Sequence, residues 1–158
     1  MKTILVRPMR PDDRSAVVRM LDESDPWRTL GYTAADWDRI FCPLPRERDG
    51  YVAEIDGQVA GVAVVRRNFL AGDYLELLAV APWTRRNGVG RMLIEHVEQA
   101  VFARTNNLFA CVSDFNGRAR AFYRKLGYQE IGPMPDFLIP GSSEFLLRKT
   151  AGPARDGR

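Results

Sequence analysis

The order of apolar and polar positions divides the chain into eleven elements. Lys2–Arg7 alternates imperfectly, with Ile4 and Val6 set among Thr3, Leu5 and Arg7, and reads as a strand. Pro11-Asp12-Asp13 then opens a helix with its acids in the first turn, where the helix dipole favours them. Ala16, Val17, Met20 and Leu21 form its apolar stripe, and Ser24-Asp25-Pro26 ends it. Thr33 is a good N-cap for a second helix carrying Trp37, Ile40 and Phe41, which Pro43 and Pro45 stop. A meander follows. Tyr51–Ile55 and Gln58–Arg66 are strands joined at Asp56-Gly57, a strong hairpin signal. After the turn Ala71-Gly72-Asp73, Tyr74–Val80 is almost wholly apolar, which predicts a central strand covered on both faces.

The second half repeats the alternation of strand and helix. A glycine-containing turn after Pro82 leads into a long amphipathic helix from about Gly88 to Arg104, with Val89, Met92, Leu93, Val97, Ala100 and Val101 inward. Leu108–Val112 is a buried strand. Asn116 caps a helix that ends at Leu126, with Gly127 after it. Tyr128–Ile131 and Ser143–Lys149 are late strands separated by Gly132–Gly141, a loop with three prolines. The order β-α-α-β-β-β-α-β-α-β-β describes one α/β (α+β) domain over residues 1–150. The small, polar residues 151–158 are expected to be a disordered tail.

Composition narrows the function classes. Of 158 residues, 46% are hydrophobic and 27% charged, and no apolar run approaches the roughly 18 residues of a membrane span. The start, MKTILVRPMR, is interrupted by Arg7 and Arg10 and reads as a strand and not as a signal peptide. Cys42 and Cys111 have neither metal-ligand nor disulfide-framework spacing, and they fit a reducing cytoplasm. A net charge of +3 is too small to point to nucleic acid, and no membrane partner is expected. Two zones, residues 83–91 and 115–125, hold three and four basic residues and no acid. That suits a small polyanion, although solvated faces would look the same.

The first zone is the most informative. A buried strand ends at Val80, and a helix starts directly after Arg85-Arg86-Asn87-Gly88-Val89-Gly90-Arg91. Gly88 and Gly90 lack Cβ atoms, so backbone N–H groups can approach a ligand closely. The helix N-terminus adds unsatisfied donors and partial positive charge, and Arg86 and Arg91 add charge-assisted bonds. This is a pyrophosphate cradle in physical terms. It lacks the Gly-Lys-Ser/Thr of a Walker A loop and the third glycine of the dinucleotide fingerprint.

This stretch resembles the acyl-CoA motif of the GNAT superfamily of N-acetyltransferases, Arg/Gln-x-x-Gly-x-Gly/Ala at a strand–helix junction. Asn116-x-x-Ala119-x-x-Phe122-Tyr123-x-x-Leu126-Gly127-Tyr128 is similar to the family's later motif, and the element order over residues 2–149 agrees. The resemblance implies a mixed, mostly antiparallel sheet flanked by helices. It also implies direct acetyl transfer from acetyl-CoA to a primary amine, without a metal. Leu78, Ala79 and Val80 would lie along the pantetheine arm, Arg85 to Arg91 would hold the pyrophosphate, Asn116 would bond the arm, and Tyr123 would protonate the departing thiolate. A non-catalytic acyl-CoA-binding module, or a transferase of longer acyl groups selected by Leu78, Phe115 and Phe122, remains an alternative. A homodimer is left open.

Other residues carry two readings. Glu76, an acid inside an apolar strand, is either a general base with a raised pKa or the partner of an arginine. The family's other acidic position, on the following strand, corresponds to Cys111, which cannot serve as a carboxylate. Trp27, Tyr32 and Trp37 either line an acceptor pocket or simply pack. His96 is expected at the surface, Cys111 in the core, and the loop Met134–Ser143 at the border of the acceptor site.

Overall fold

The computed structural model describes residues 2–41 and 44–155. Cys42 and Pro43 lie outside the described residues, as do Met1 and residues 156–158. The strands are β1 (Ile4–Pro8), β2 (Arg48–Ile55), β3 (Gln58–Phe69), β4 (Gly72–Val80), β5 (Asn107–Ser113), β6 (Gln129–Pro135) and β7 (Ser143–Thr150). The helices are α1 (Arg14–Asp22), α2 (Ala34–Phe41), α3 (Val89–Phe102) and α4 (Gly117–Lys125). The strands form one sheet in the order β1-β2-β3-β4-β5-β7-β6, and β4–β5 is its only parallel pair. The expected mixed, mostly antiparallel architecture is therefore present.

Both faces of the sheet are covered. On one, Val17, Leu21 and Trp37 of α1 and α2 pack on Val52, Val62, Val64 and Leu77. On the other, Val89, Leu93 and Val97 of α3 and Tyr123 of α4 pack on Ala53, Ala63, Val65, Leu75 and Ala110. Burial of each large side chain of this kind is worth about 1.5–3 kcal/mol. Helix α3 lies close to β3 because position 61 is glycine. A Cβ there would sit 2.9 Å from Val89 Cγ1, Leu93 Cδ1 and the Ala79 carbonyl oxygen. The predicted turn at Asp56-Gly57 has φ of 51° and 79°, the pair of positive values that a tight two-residue hairpin requires.

Three local expectations are corrected. Strand β3 runs three residues past Arg66. Helix α1 is preceded by a separate 3-10 turn at Pro11–Asp13, and Asp13 does more than face the dipole. Its carboxylate accepts two hydrogen bonds of 2.8 Å from Arg7 and one of 2.7 Å from the Arg10 N–H. Arg7 also donates to Glu54 at 2.9 Å, which ties β1, β2 and the start of α1 together. Strand β6 extends through Pro133 and Pro135, which were expected in a loop. It lies at the sheet edge, where a missing N–H breaks no ladder bond. At Ala151 and Pro153 two hydrogen bonds reach Asn106: the Ala151 N–H donates to the Asn106 carbonyl at 2.8 Å, and the Asn106 amide donates to the Pro153 carbonyl at 2.7 Å. Among the described residues, no helix is long and apolar enough to cross a membrane.

Candidate active site

The site is built around a break in the sheet. Strand β4 pairs with β5 only at Asp73–Leu108, Tyr74–Phe109 and Leu75–Ala110. Across the other edge of β4, Val65 faces Leu75 while Val64 faces Leu77, so Glu76 is an extra, bulged residue. A bulge bends a strand and shifts which residues face each side. Leu75 lies in the core under α3, whereas Leu77 and Ala79 lie in the core under α1 and α2. Beyond Leu75 the two strands part, and the edge of β4 over residues 76–80 has no partner in β5.

A cavity of about 710 Å³ begins in this gap. Leu78, Ala79 and Val80 form one wall, Asn116, Ala119 and Phe122 another, and Arg85, Arg86, Gly88, Val89, Gly90 and Arg91 close its end. Gly88 is the N-cap of α3 with φ 79°, and the first helical bond runs from the Met92 N–H to its carbonyl at 3.0 Å. The N–H groups of the first turn are thus left to a ligand. Arg86 also has a positive φ, 69°, an uncommon conformation for a residue with a side chain. The preceding turn is fixed by Thr84, whose buried hydroxyl donates to the carbonyls of Ala60 and Ala81. Among the described residues, Arg85, Arg86 and Arg118 enter no ion pair, while Arg91 pairs with Glu95 at 2.8 Å. These features fit a pyrophosphate. Asn116 caps α4 by accepting from the Ala119 N–H at 3.2 Å, which leaves its amide N–H groups for the groove. Asn87, the remaining residue of the predicted loop, donates its backbone N–H to Thr84 at 3.2 Å.

A second cavity of about 240 Å³ shares Pro26, Trp27, Leu78, Asn116 and Ala119 with the first. It continues the gap to Tyr74, Glu76, Cys111, Ser113, Tyr123 and Glu144. Tyr123 is buried, and burial pushes its phenol well above the ordinary value. Glu76 is held by Arg48 through bonds of 2.6 and 2.9 Å and by Arg66 at 3.0 Å, so the ion-pair reading of this residue is present in the structure.

Several expectations change here. Trp37 is not on the cavity wall. It is a buried core residue on which Tyr32 stacks at 4.9 Å and Trp27 packs edge-on at 6.1 Å, and those two rings do line the cavity. Cys111 is only half-buried and lines the cavity together with Tyr74, and burial raises its thiol pKa. Phe115 is exposed and borders neither cavity, while Phe137 and Leu138 bring the predicted loop to the smaller cavity. His96 is half-buried against Tyr51, away from both cavities. Sequence reasoning missed Ser113 and Glu144, whose significance depends on the pairing of β5 with β7. Among the described residues, no group of three His, Cys, Asp or Glu side chains gathers as for a metal.

The sequence pattern of the acetyltransferase (GNAT) family matches residues 16–128, which include the glycine loop, the break in the sheet and α4. The chain belongs to this family. It is 33% identical over 101 residues to an uncharacterized N-acetyltransferase of Methanocaldococcus jannaschii, a match that covers 63% of the chain and spans 64% of that relative's length. It is 34% identical over 133 residues to the 5-NmdU N-acetyltransferase of Pseudomonas phage PaMx11, covering 82% of the chain and 89% of the relative. An aminoglycoside 6'-N-acetyltransferase solved with coenzyme A shares the fold, with a TM-score of 0.79, 18% identity and coverage of 96% and 99% of the two chains.

Proposed function

We propose that this GNAT-family chain transfers an acetyl group from acetyl-CoA, a substrate of the reaction, to a primary amine bound at the same time. The supporting observation is the continuity of the two cavities along the unpaired edge of β4, from the donors at Gly88 to the phenol of Tyr123. The loop Arg85–Arg91 holds the pyrophosphate. The pantetheine arm lies along Leu78–Val80, and Asn116 donates an amide N–H to it. The amine enters the smaller cavity beside Trp27 and Tyr32 and attacks the thioester carbonyl. A backbone N–H of the Leu78–Val80 segment stabilises the negative charge that develops on the carbonyl oxygen.

Tyr123 faces the departing sulfur. Its raised pKa keeps it protonated throughout the neutral range, so the O–H is in place to donate to the thiolate as the carbon–sulfur bond breaks. Glu76 was the base offered by the sequence. Two guanidinium groups occupy its oxygens, which favours a role in holding the bulge in shape. The half-buried free thiol of Cys111 supports a reducing, cytoplasmic setting. Calorimetry with acetyl-CoA and an acceptor screen reading thiol release test the assignment. Absence of binding at about millimolar acetyl-CoA, a level at which even a weak site would register, would overturn it.

A further inference from the structure

The smaller cavity contains two carboxylates in opposite circumstances. Glu76 is clamped by Arg48 and Arg66. Glu144 on β7 enters no ion pair among the described residues, although it is 95% buried by its 5% exposure. It stands directly opposite Ser113 in the β5–β7 ladder, and the buried Ser113 hydroxyl donates to its Oε1. Oε2 has no hydrogen bond from the described side chains. The titratable groups that share its cavity are Cys111 on β5, Tyr74 and the clamped Glu76 on β4, Tyr123 on α4 and Tyr32 from the loop before α2, and Asp114 lies just past the end of β5. On β6 the facing residue is the uncharged Met134. A buried carboxylate without a cation is costly to maintain unless it meets one. The group that enters this cavity with positive charge or a proton to lose is the acceptor amine.

Resting on the transferase reading above, we propose that Glu144 is the residue that receives the proton of the acceptor amine, with Ser113 as its positioning residue. As the nitrogen–carbon bond forms and the carbon–sulfur bond breaks, the nitrogen loses a proton to Glu144 Oε2. The thiolate takes one from Tyr123, and solvent restores both groups. Desolvation raises the pKa of Glu144, and the Ser113 hydrogen bond limits that rise. Such a carboxylate loses its proton at a pH closer to neutrality than an exposed one does and is a more effective base there.

The experiment measures thiol release from acetyl-CoA across pH with 2-phenylethylamine, an amino sugar, a tripeptide α-amine and an Nα-blocked lysine. With whichever amine is turned over, Glu144→Gln is expected to lower kcat by at least roughly 100-fold and remove from the kcat/KM profile the acidic limb that does not follow the pKa of the amine, with acetyl-CoA affinity unchanged. Ser113→Ala removes the bond that favours the charged form, so it is expected to move that limb to higher pH. Glu76→Gln is expected to keep the limb. If Glu144→Gln does not fold, the Ser113→Ala shift, together with a carbon-13 carboxyl titration of Glu144 in both proteins, decides the question. A Glu144→Gln profile like that of the wild type, or an unmoved limb in Ser113→Ala, overturns the role of Glu144 alone. No thiol release by the wild type with any of the amines overturns the transferase reading and this role together.

Discussion

The two glycines at the start of α3 should respond oppositely to the same substitution. Gly88 has φ 79°, and nothing lies within 4 Å of a Cβ built on it. The cost of Gly88→Ala is therefore conformational and not steric, roughly 1–2 kcal/mol for a left-handed alanine. In a chain of this size that lowers Tm by roughly 2–8 °C. Gly90 lies inside the first turn of α3 and has no positive φ. A Cβ there would meet Val80 Cγ2 at 3.4 Å and Phe122 Cζ at 3.6 Å, which are ordinary contacts. Gly90→Ala should thus stabilise the helix by about 0.5–1 kcal/mol. Gly88→Ala should also weaken binding. An alanine at 88 either presents its methyl group to the cavity or relaxes the turn that aims the N–H groups, and a loss of about 1.4 kcal/mol would appear as tenfold weaker acetyl-CoA binding. Thermal denaturation of the free proteins and titration calorimetry measure both effects. Equal Tm shifts in the two variants, or wild-type affinity in Gly88→Ala, would refute the reasoning.

Three further outcomes are expected. Tyr123→Phe should reduce turnover by roughly 100-fold or more and leave acetyl-CoA affinity within about twofold in calorimetry, and no basic limb assignable to this phenol should appear below about pH 10. Trp37→Ala, which empties a core site, should cost about 3–5 kcal/mol in denaturant unfolding, whereas Trp27→Ala should chiefly raise the KM of the acceptor. Arg7 holds Asp13 below the usual carboxylate range, so Asp13 contributes stability above about pH 4 that is lost as pH falls through its lowered folded pKa. Arg7→Ala should cost about 3 kcal/mol near neutrality and shift acid unfolding followed by circular dichroism to higher pH, since the wild-type protein keeps this support further into acid.

The features visible in the sequence are those set by near neighbours. The glycine loop, the Asn116 cap, the Asp56-Gly57 hairpin and the apolar run of β4 each depend on residues within one turn or one strand, and the structure places them as their chemistry predicts. What the sequence hides depends on register between distant segments. Nothing local marks Glu76 as a bulge, because the extra residue is defined only by Val64 and Val65 on β3. Glu144 reads as one of the polar residues at the start of a late strand until its pairing with Ser113 brings it into the cavity. Pro133 and Pro135 read as loop residues because edge position, which makes them tolerable, belongs to the whole sheet. The aromatic cluster divides between wall and core for the same reason, since helical spacing alone does not distinguish Trp37 from the rings it supports.

The short β4–β5 ladder has a mechanical consequence. The strands β1 to β4 and the strands β5, β7 and β6 are joined in the sheet by three residue pairs. The sheet is therefore two plates on a narrow hinge, with a ligand groove where further rungs would be. A pantetheine arm bonded to the free edge of β4 and to Asn116 at the head of α4 would act as a removable staple between the plates. Saturation at a hundred times Kd would add about 2.7 kcal/mol to the stability of the whole. Amide exchange along residues 76–80 and at the start of α4 would slow together, so the protein would report its own loading as stiffness.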